Sequence, residues 1–86
     1  MSDAGPINPA LMGETARILA EQSAALHEVA TRLRIALVAT RWRSSAALLA
    51  RSEAEQELDR LLRCAARYDE AARWWSLATA AVTAGP

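Results

Sequence analysis

The sequence lacks several features that would point to a particular chemistry. Its 86 residues contain no lysine, no phenylalanine and a single cysteine, and neither glycine nor proline occurs between Glu14 and Ala84. One cysteine cannot form an internal disulfide, which excludes the disulfide framework of small secreted domains. A stretch this long without a strong helix breaker favours continuous helix through most of the chain.

The sequence also lacks an excess of charge of either sign and has no long apolar run. Ten arginines balance ten acidic residues, so we expect no overall cationic field. We therefore expect neither binding to nucleic acid nor insertion into a membrane. No apolar run approaches the ~20 residues of a membrane span. The N-terminus has neither a basic start nor an apolar core. We therefore expect a protein made in the cytoplasm, whose export would not use a Sec signal peptide.

The residues that are present are strong helix formers, with alanine at 21 positions. Arginine without lysine, beside abundant alanine, is typical of a GC-rich bacterial genome. We predict a disordered lead over residues 1–8 and one helical domain over 9–84. Asn8-Pro9 is a favourable helix start, so the first helix is predicted over about 9–41. Ser44 or Ser45 can cap the second helix, predicted over about 45–83.

Large apolar residues recur at helix-packing spacings of three, four and seven in both helices. The fold class is therefore predicted to be all-α, an antiparallel two-helix hairpin. Its predicted core is Met12, Leu19, Leu26, Leu33, Leu37, Leu58, Leu61, Tyr68 and Trp75. Folding at residues 43–44 places Leu19 near Tyr68. A single rod would share the same register, and a capping box at Ser52 would start the second helix later.

A two-helix hairpin buries only a narrow seam, and small domains with so little core need a partner or a staple. Apolar residues also lie off the seam, which predicts pairing with a second hairpin into a four-helix bundle. The predicted dimer interface is Ile18, Leu62, Trp74 and Leu77. Trp74 is the main candidate, since its neighbour Trp75 fills the hairpin seam. Surface i,i+4 ion pairs are expected at Glu28/Arg32, Asp59/Arg63 and Asp69/Arg73.

The bend carries the one specific motif, Trp42-Arg43-Ser44-Ser45-Ala46-Ala47. With its mid-chain position and the chain length, it resembles the Trp-x-Gly bend of the WXG-type (ESAT-like) helical hairpins of the type VII (ESX) secretion system. The resemblance implies a secreted substrate or a co-secreted partner that acts by helix–helix dimerisation. It also implies that Trp42, Arg43 and Ser44 form a surface that engages the secretion machinery.

The chain departs from the family pattern in two places. Ser44 stands where the family has glycine, so the turn is expected to be of a different type. The family's export tag, Tyr-x-x-x-Asp/Glu after the second helix, is not matched, because Tyr68 is followed at that spacing by Ala72. A chain without the tag would borrow it from a different hairpin, which favours a heterodimer; a homodimer stays open.

Trp42 has two interpretations. Between Arg41 and Arg43 it can form an exposed recognition patch of the kind enriched at interaction hot spots. Alternatively, it closes the open end of the bundle and shields Val38 and Leu49. The interaction role agrees with the secretion hypothesis, whereas the capping role fits a helical hairpin of any function.

Catalysis, metals and cofactors have no supporting pattern. His27 is the only histidine and is expected to flank the seam. Cys64 is expected to be a partly buried small residue, and Glu53, Glu55 and Glu57 spread around the helix. We predict no enzyme activity, no cofactor and no metal site. The alternative to a secretion role is a cytoplasmic helical adaptor or antitoxin-like module, which would bind its partner through the same apolar face.

Overall fold

The protein is an all-α helical hairpin. The computed structural model describes residues 8–84, in which α1 spans Pro9–Ala39 and α2 spans Ser45–Ala84, with none of these residues in a strand. The predicted lead over residues 1–8 lies outside the described residues except for Asn8. The molecule measures 65 × 23 × 14 Å. Its thinnest dimension is close to one helix with side chains, so the two helices form a single layer.

Helix α1 begins where the sequence predicts and ends earlier. The side-chain oxygen of Asn8 accepts the backbone N–H groups of Ala10 and Leu11, at 3.0 and 3.2 Å, and proline occupies the first helical position. The end predicted near Arg41 agrees with the structure to within two residues. The backbone turns extended at Thr40, whose N–H and hydroxyl both donate to the carbonyl of Ala36. Helix α1 therefore ends at Ala39.

Helix α2 begins immediately after the bend. The hydroxyl oxygen of Ser44 accepts the N–H of Ala47 at 3.0 Å, and its carbonyl accepts the N–H of Leu48 at 2.9 Å. Ser44 is therefore the N-cap, a role that suits serine. The hairpin and its N-cap rule out both the single rod and a late start at Ser52.

The fully buried seam between the helices consists mainly of small residues. Successive buried residues on each helix are seven apart, so they form one line along it. Small side chains at a contact let two helix backbones approach closely. The buried residues are Ala16, Ser23, Ala30 and Leu37 of α1, with Ala65 and Ala72 of α2.

The predicted core residues lie beside this seam, and most of them are only half-buried. Leu37 is buried, at 7% exposure. The others are half-buried: Met12, Leu19, Leu26, Leu33, Leu58, Leu61, Tyr68 and Trp75. The hydroxyl of Ser23 lies 3.2 Å from the carbonyl oxygen of Ala65, and Leu19 and Tyr68 line one depression. This register agrees with the predicted pairing of Leu19 with Tyr68.

Candidate interaction site

One side of the hairpin carries most of the large apolar side chains. On α1, Leu11 and Ile18 lie one heptad apart, on the side of Leu19 that faces away from the buried seam. On α2, Trp74 lies beside Ala71, which lines a depression together with Leu19 and Tyr68. We call this side the Trp74 face. Its most exposed large residues are Leu11, Ile18, Val29 and Trp74, which are 59, 45, 50 and 61% exposed.

The Trp74 face is not flat. Two adjoining depressions, of about 300 and 370 Å³, share Arg67 and Ala71 in their walls. The rings of Trp74 and Trp75 meet edge to face, with centroids 5.1 Å apart and planes at 87°. This arrangement is a favourable aromatic geometry and fixes the orientation of the exposed ring. The face therefore offers a rigid aromatic side chain beside concave apolar surface.

The four residues predicted to form the dimer interface do not share this face. Ile18 and Trp74 lie on it. Leu77 lines a different groove, of about 610 Å³, together with Gly13, Ala16 and Ala20. Leu62 lies one heptad before Asp69, which lines that second groove too. The structure thus separates Ile18 and Trp74 from the groove that Leu77 lines, although Leu77 is a neighbour of Trp74 on the surface of α2, three residues further along.

The bend residues are held by contacts within the hairpin. The indole N–H of Trp42 donates to the carbonyl oxygen of Leu37 at 2.9 Å, and its side chain is half-buried. This bond satisfies a carbonyl that the end of α1 leaves without a helical partner. Trp42 does not shield Val38 and Leu49, which are 82 and 63% exposed. The bend tryptophan is therefore a cap on α1, and Arg43 beside it is exposed.

Replacing Trp42 with phenylalanine keeps a ring at the bend but removes the hydrogen bond to Leu37. We expect the free energy of unfolding to fall by about 1 kcal/mol, the ordinary net value of one such bond. Chemical denaturation followed by circular dichroism measures this. The same exchange at Trp75, whose N–H has no hydrogen bond within residues 8–84, is the control. An unfolding free energy that drops no more than in the control would contradict the capping role.

A polar cluster crosses from one helix to the other near the middle of the hairpin. Ser23, 1% exposed, donates its hydroxyl to one oxygen of Asp69 at 2.6 Å. The other oxygen of Asp69 lies 3.4 Å from Nε2 of His27. Asp69 therefore contacts α1, and the predicted ion pair with Arg73 is wrong. The predicted pairs Glu28/Arg32 and Asp59/Arg63 form at 3.0 and 3.3 Å.

Serine, histidine and aspartate together call to mind a hydrolytic triad, but their order here is different. In a triad the histidine lies between serine and aspartate and accepts the serine proton. Here Asp69 lies between Ser23 and His27, and Ser23 is buried against the backbone of Ala65. The cluster therefore fixes the register of the two helices, because its contacts join α1 to α2 at one point along the seam.

The hydrogen bond from Ser23, followed by that from His27, lowers the pKa of Asp69 below its ordinary value of 3.8. A carboxylate whose pKa falls on folding stabilises the fold above its unfolded pKa, and this contribution is lost as the pH falls through the folded value. We therefore expect the thermal unfolding midpoint to fall as the pH is lowered below about 4. In Asp69→Asn this drop should be smaller, whereas Glu70→Gln, an exposed neighbour, should keep it. Equal pH profiles for all three proteins would contradict the assignment.

Other candidate chemistry is sparse in the part of the chain that the structure describes. Cys64 is exposed, so the expectation of a partly buried thiol is wrong. Within residues 8–84, no group of three or more histidine, cysteine or acidic residues is placed to hold a metal ion. No helix among these residues is long and apolar enough to cross a membrane.

Arginines and acids are segregated along the hairpin, which the net charge of zero conceals. The segment 29–52 contains five arginines and no acidic residue, so the rest of the chain holds the other five arginines and all ten acids. The hairpin brings this segment to one end, around the bend. Sequence reasoning from net charge missed this, although counting charges in windows along the chain would have found it.

Comparison with protein-family models, with curated proteins and with solved structures finds no match for this chain.

Proposed function

We propose that this chain is a WXG-type hairpin that acts by binding. Its Trp74 face packs against a second helical hairpin to form a four-helix bundle, and the pair is a substrate, or a substrate with its co-secreted partner, of a type VII secretion system. The second hairpin is a different chain that carries the missing export tag, or a second copy. No step of this function requires catalysis, because the work is done by helix–helix contact.

The observation that carries this proposal is the amount of apolar surface left uncovered. Nine large apolar side chains among residues 8–84 are between 45 and 82% exposed, and four of them lie on the Trp74 face: Leu11, Ile18, Val29 and Trp74. A surface with this many exposed large apolar side chains is typical of protein–protein contact sites. Because the buried seam consists of small residues, the large ones are left beside it, where only another layer of helices can cover them.

The bend supports the family resemblance in part. Trp42 lies between the two helices, as the tryptophan of the family does, and Ser44 takes the place of the family's glycine by capping α2. A serine cap needs no left-handed backbone, so the departure from glycine is compatible with a tight bend.

Export can be tested directly. The tagged chain is expressed in a cell with an ESX-type ATPase and in the same cell without it, each with and without a second hairpin that carries the Tyr-x-x-x-Asp/Glu tag. The proposal predicts that the chain reaches the medium only when the ATPase is present, and in larger amount with the tagged partner. Retention in the cell under all four conditions would refute the secretion role.

A second candidate function is a cytoplasmic adaptor that binds a partner through the same face. The observation in its favour is the bond from Trp42 to Leu37. This bond gives the bend tryptophan a role in any helical hairpin, whether or not it is secreted. In the export experiment the adaptor predicts retention in the cell together with stable binding of a cytoplasmic protein.

A further inference from the structure

The bend end of the hairpin combines local positive charge with exposed aliphatic side chains. Of the five arginines in segment 29–52, Arg32 pairs with Glu28 and Arg51 with Glu55. The other three form no ion pair within residues 8–84 and are exposed: Arg34, Arg41 and Arg43. We call these three arginines, together with the apolar residues around them, the basic tip.

The apolar part of the basic tip is unusually open to solvent. Val38 lies in the last turn of α1, and Leu48 and Leu49 lie in the first two turns of α2. They are 82, 54 and 63% exposed, and Ile35, one turn further from the bend, is 61% exposed. None of the three depressions described above is lined by these residues. The tip therefore presents aliphatic side chains and guanidinium groups to solvent at one end of the hairpin.

We infer that the basic tip binds the surface of an anionic lipid bilayer. Arginines next to a membrane are attracted to anionic headgroups, while aliphatic side chains at the same level enter the boundary between headgroups and acyl chains. The bond from Trp42 to Leu37 also satisfies one carbonyl at the end of α1, which lowers the cost of placing that end in a poorly hydrated region. The contact is peripheral, and neither helix enters the bilayer core.

Two other anionic partners fit the tip less well. Single-stranded nucleic acids are held by stacking on exposed aromatic rings, and the one aromatic residue of the tip, Trp42, is half-buried and tied to α1. An acidic protein would be recognised through pockets that hold its anchor side chains, and none of the three depressions is lined by residues of the tip. Neither partner accounts for four exposed aliphatic residues. This inference does not rest on the proposed pairing of hairpins, since it concerns the opposite end of the hairpin from Trp74.

The test is sedimentation of the full chain with vesicles of phosphatidylglycerol and phosphatidylcholine, compared with vesicles of phosphatidylcholine alone. We expect binding to the anionic vesicles only, weakened by added salt. Arg41→Gln with Arg43→Gln should reduce partitioning by roughly twenty-five-fold, since each arginine near an anionic surface contributes roughly fivefold. The control is Arg63→Gln with Arg73→Gln, which changes the net charge equally but far from the tip and should keep binding.

A second pair of variants separates lipid from other polyanions. Val38→Ser with Leu49→Ser keeps every charge, and both residues are too exposed for the exchange to unfold the hairpin, which circular dichroism checks. The inference predicts that this pair binds anionic vesicles less well but binds heparin as the wild type does. No sedimentation of the wild type with anionic vesicles would overturn it. Full vesicle binding by the serine pair would also overturn it, since the tip would then be a general polyanion site.

Discussion

Replacing Trp74 with alanine should weaken the proposed pairing of hairpins by about thirtyfold or more while helix content stays nearly constant. The ring is 61% exposed, so the isolated hairpin loses little packing when it is removed. In the proposed four-helix bundle the same ring would lie at the contact, beside the two depressions of the Trp74 face. Truncation of a buried aromatic anchor costs about 2 kcal/mol or more of binding free energy.

Leu49→Ala is the matched control for this prediction. Leu49 is about as exposed as Trp74, at 63%, but it lies near the start of α2, at the opposite end of the hairpin. We expect its exchange to leave the dissociation constant nearly unchanged. Concentration-dependent light scattering and helix content measured on the same samples decide the point. If Trp74→Ala loses helix content and association together in one thermal melt, the Trp74 face belongs to the fold rather than to the interface.

Replacing Ala65 with leucine should destabilise the hairpin by about 1–3 kcal/mol, the usual cost of overpacking a close contact. Ala65 is fully buried, at 0% exposure, and its carbonyl oxygen lies 3.2 Å from the hydroxyl of Ser23. A larger side chain there must push the helices apart and break the Ser23–Asp69 bond. Leucine has nearly the helix propensity of alanine, so the loss cannot come from the helix itself.

Ala66→Leu provides the control for the packing prediction, because it makes the same change one residue along, at an exposed position. We expect the free energy of unfolding to change there by less than about 0.5 kcal/mol. Thermal melts suffice, since 1 kcal/mol moves the midpoint of so small a domain by about 4–8 °C. Equal midpoints for the two variants would mean that the helices are not in close contact at Ala65.

The sequence predicts the helices and their antiparallel pairing well. Helix starts depend on local chemistry that can be read directly, so Asn8-Pro9 and Ser44 are found where side-chain oxygens cap backbone N–H groups. The end of α1 is less readable. Arg41 and Trp42 are both compatible with helix, and the backbone turns extended at Thr40. The hydroxyl bond of Thr40 to Ala36 is no stop signal, because Thr15 and Thr31 make the same bond four residues back inside α1.

The composition of the seam is harder to predict, because hydrophobicity draws attention to the larger residues. The heptad through Met12 and Leu19 is conspicuous, yet the fully buried line runs through Ala16, Ser23 and Ala30. Ser23 interrupts that line as a polar residue, and its partner Asp69 is 46 residues away. Only the register of the two helices brings them together, so no local pattern could have identified the cluster.

The most direct test of the Trp74 face as an association surface is the solution mass of the purified chain. Light scattering on a sizing column, with a helix-content spectrum of the same peak, gives both quantities at once. We predict a helical dimer, or a poorly helical and aggregating chain that becomes helical when a different hairpin is added. A fully helical, monodisperse monomer at high concentration would contradict the account, because the hairpin would then need no partner.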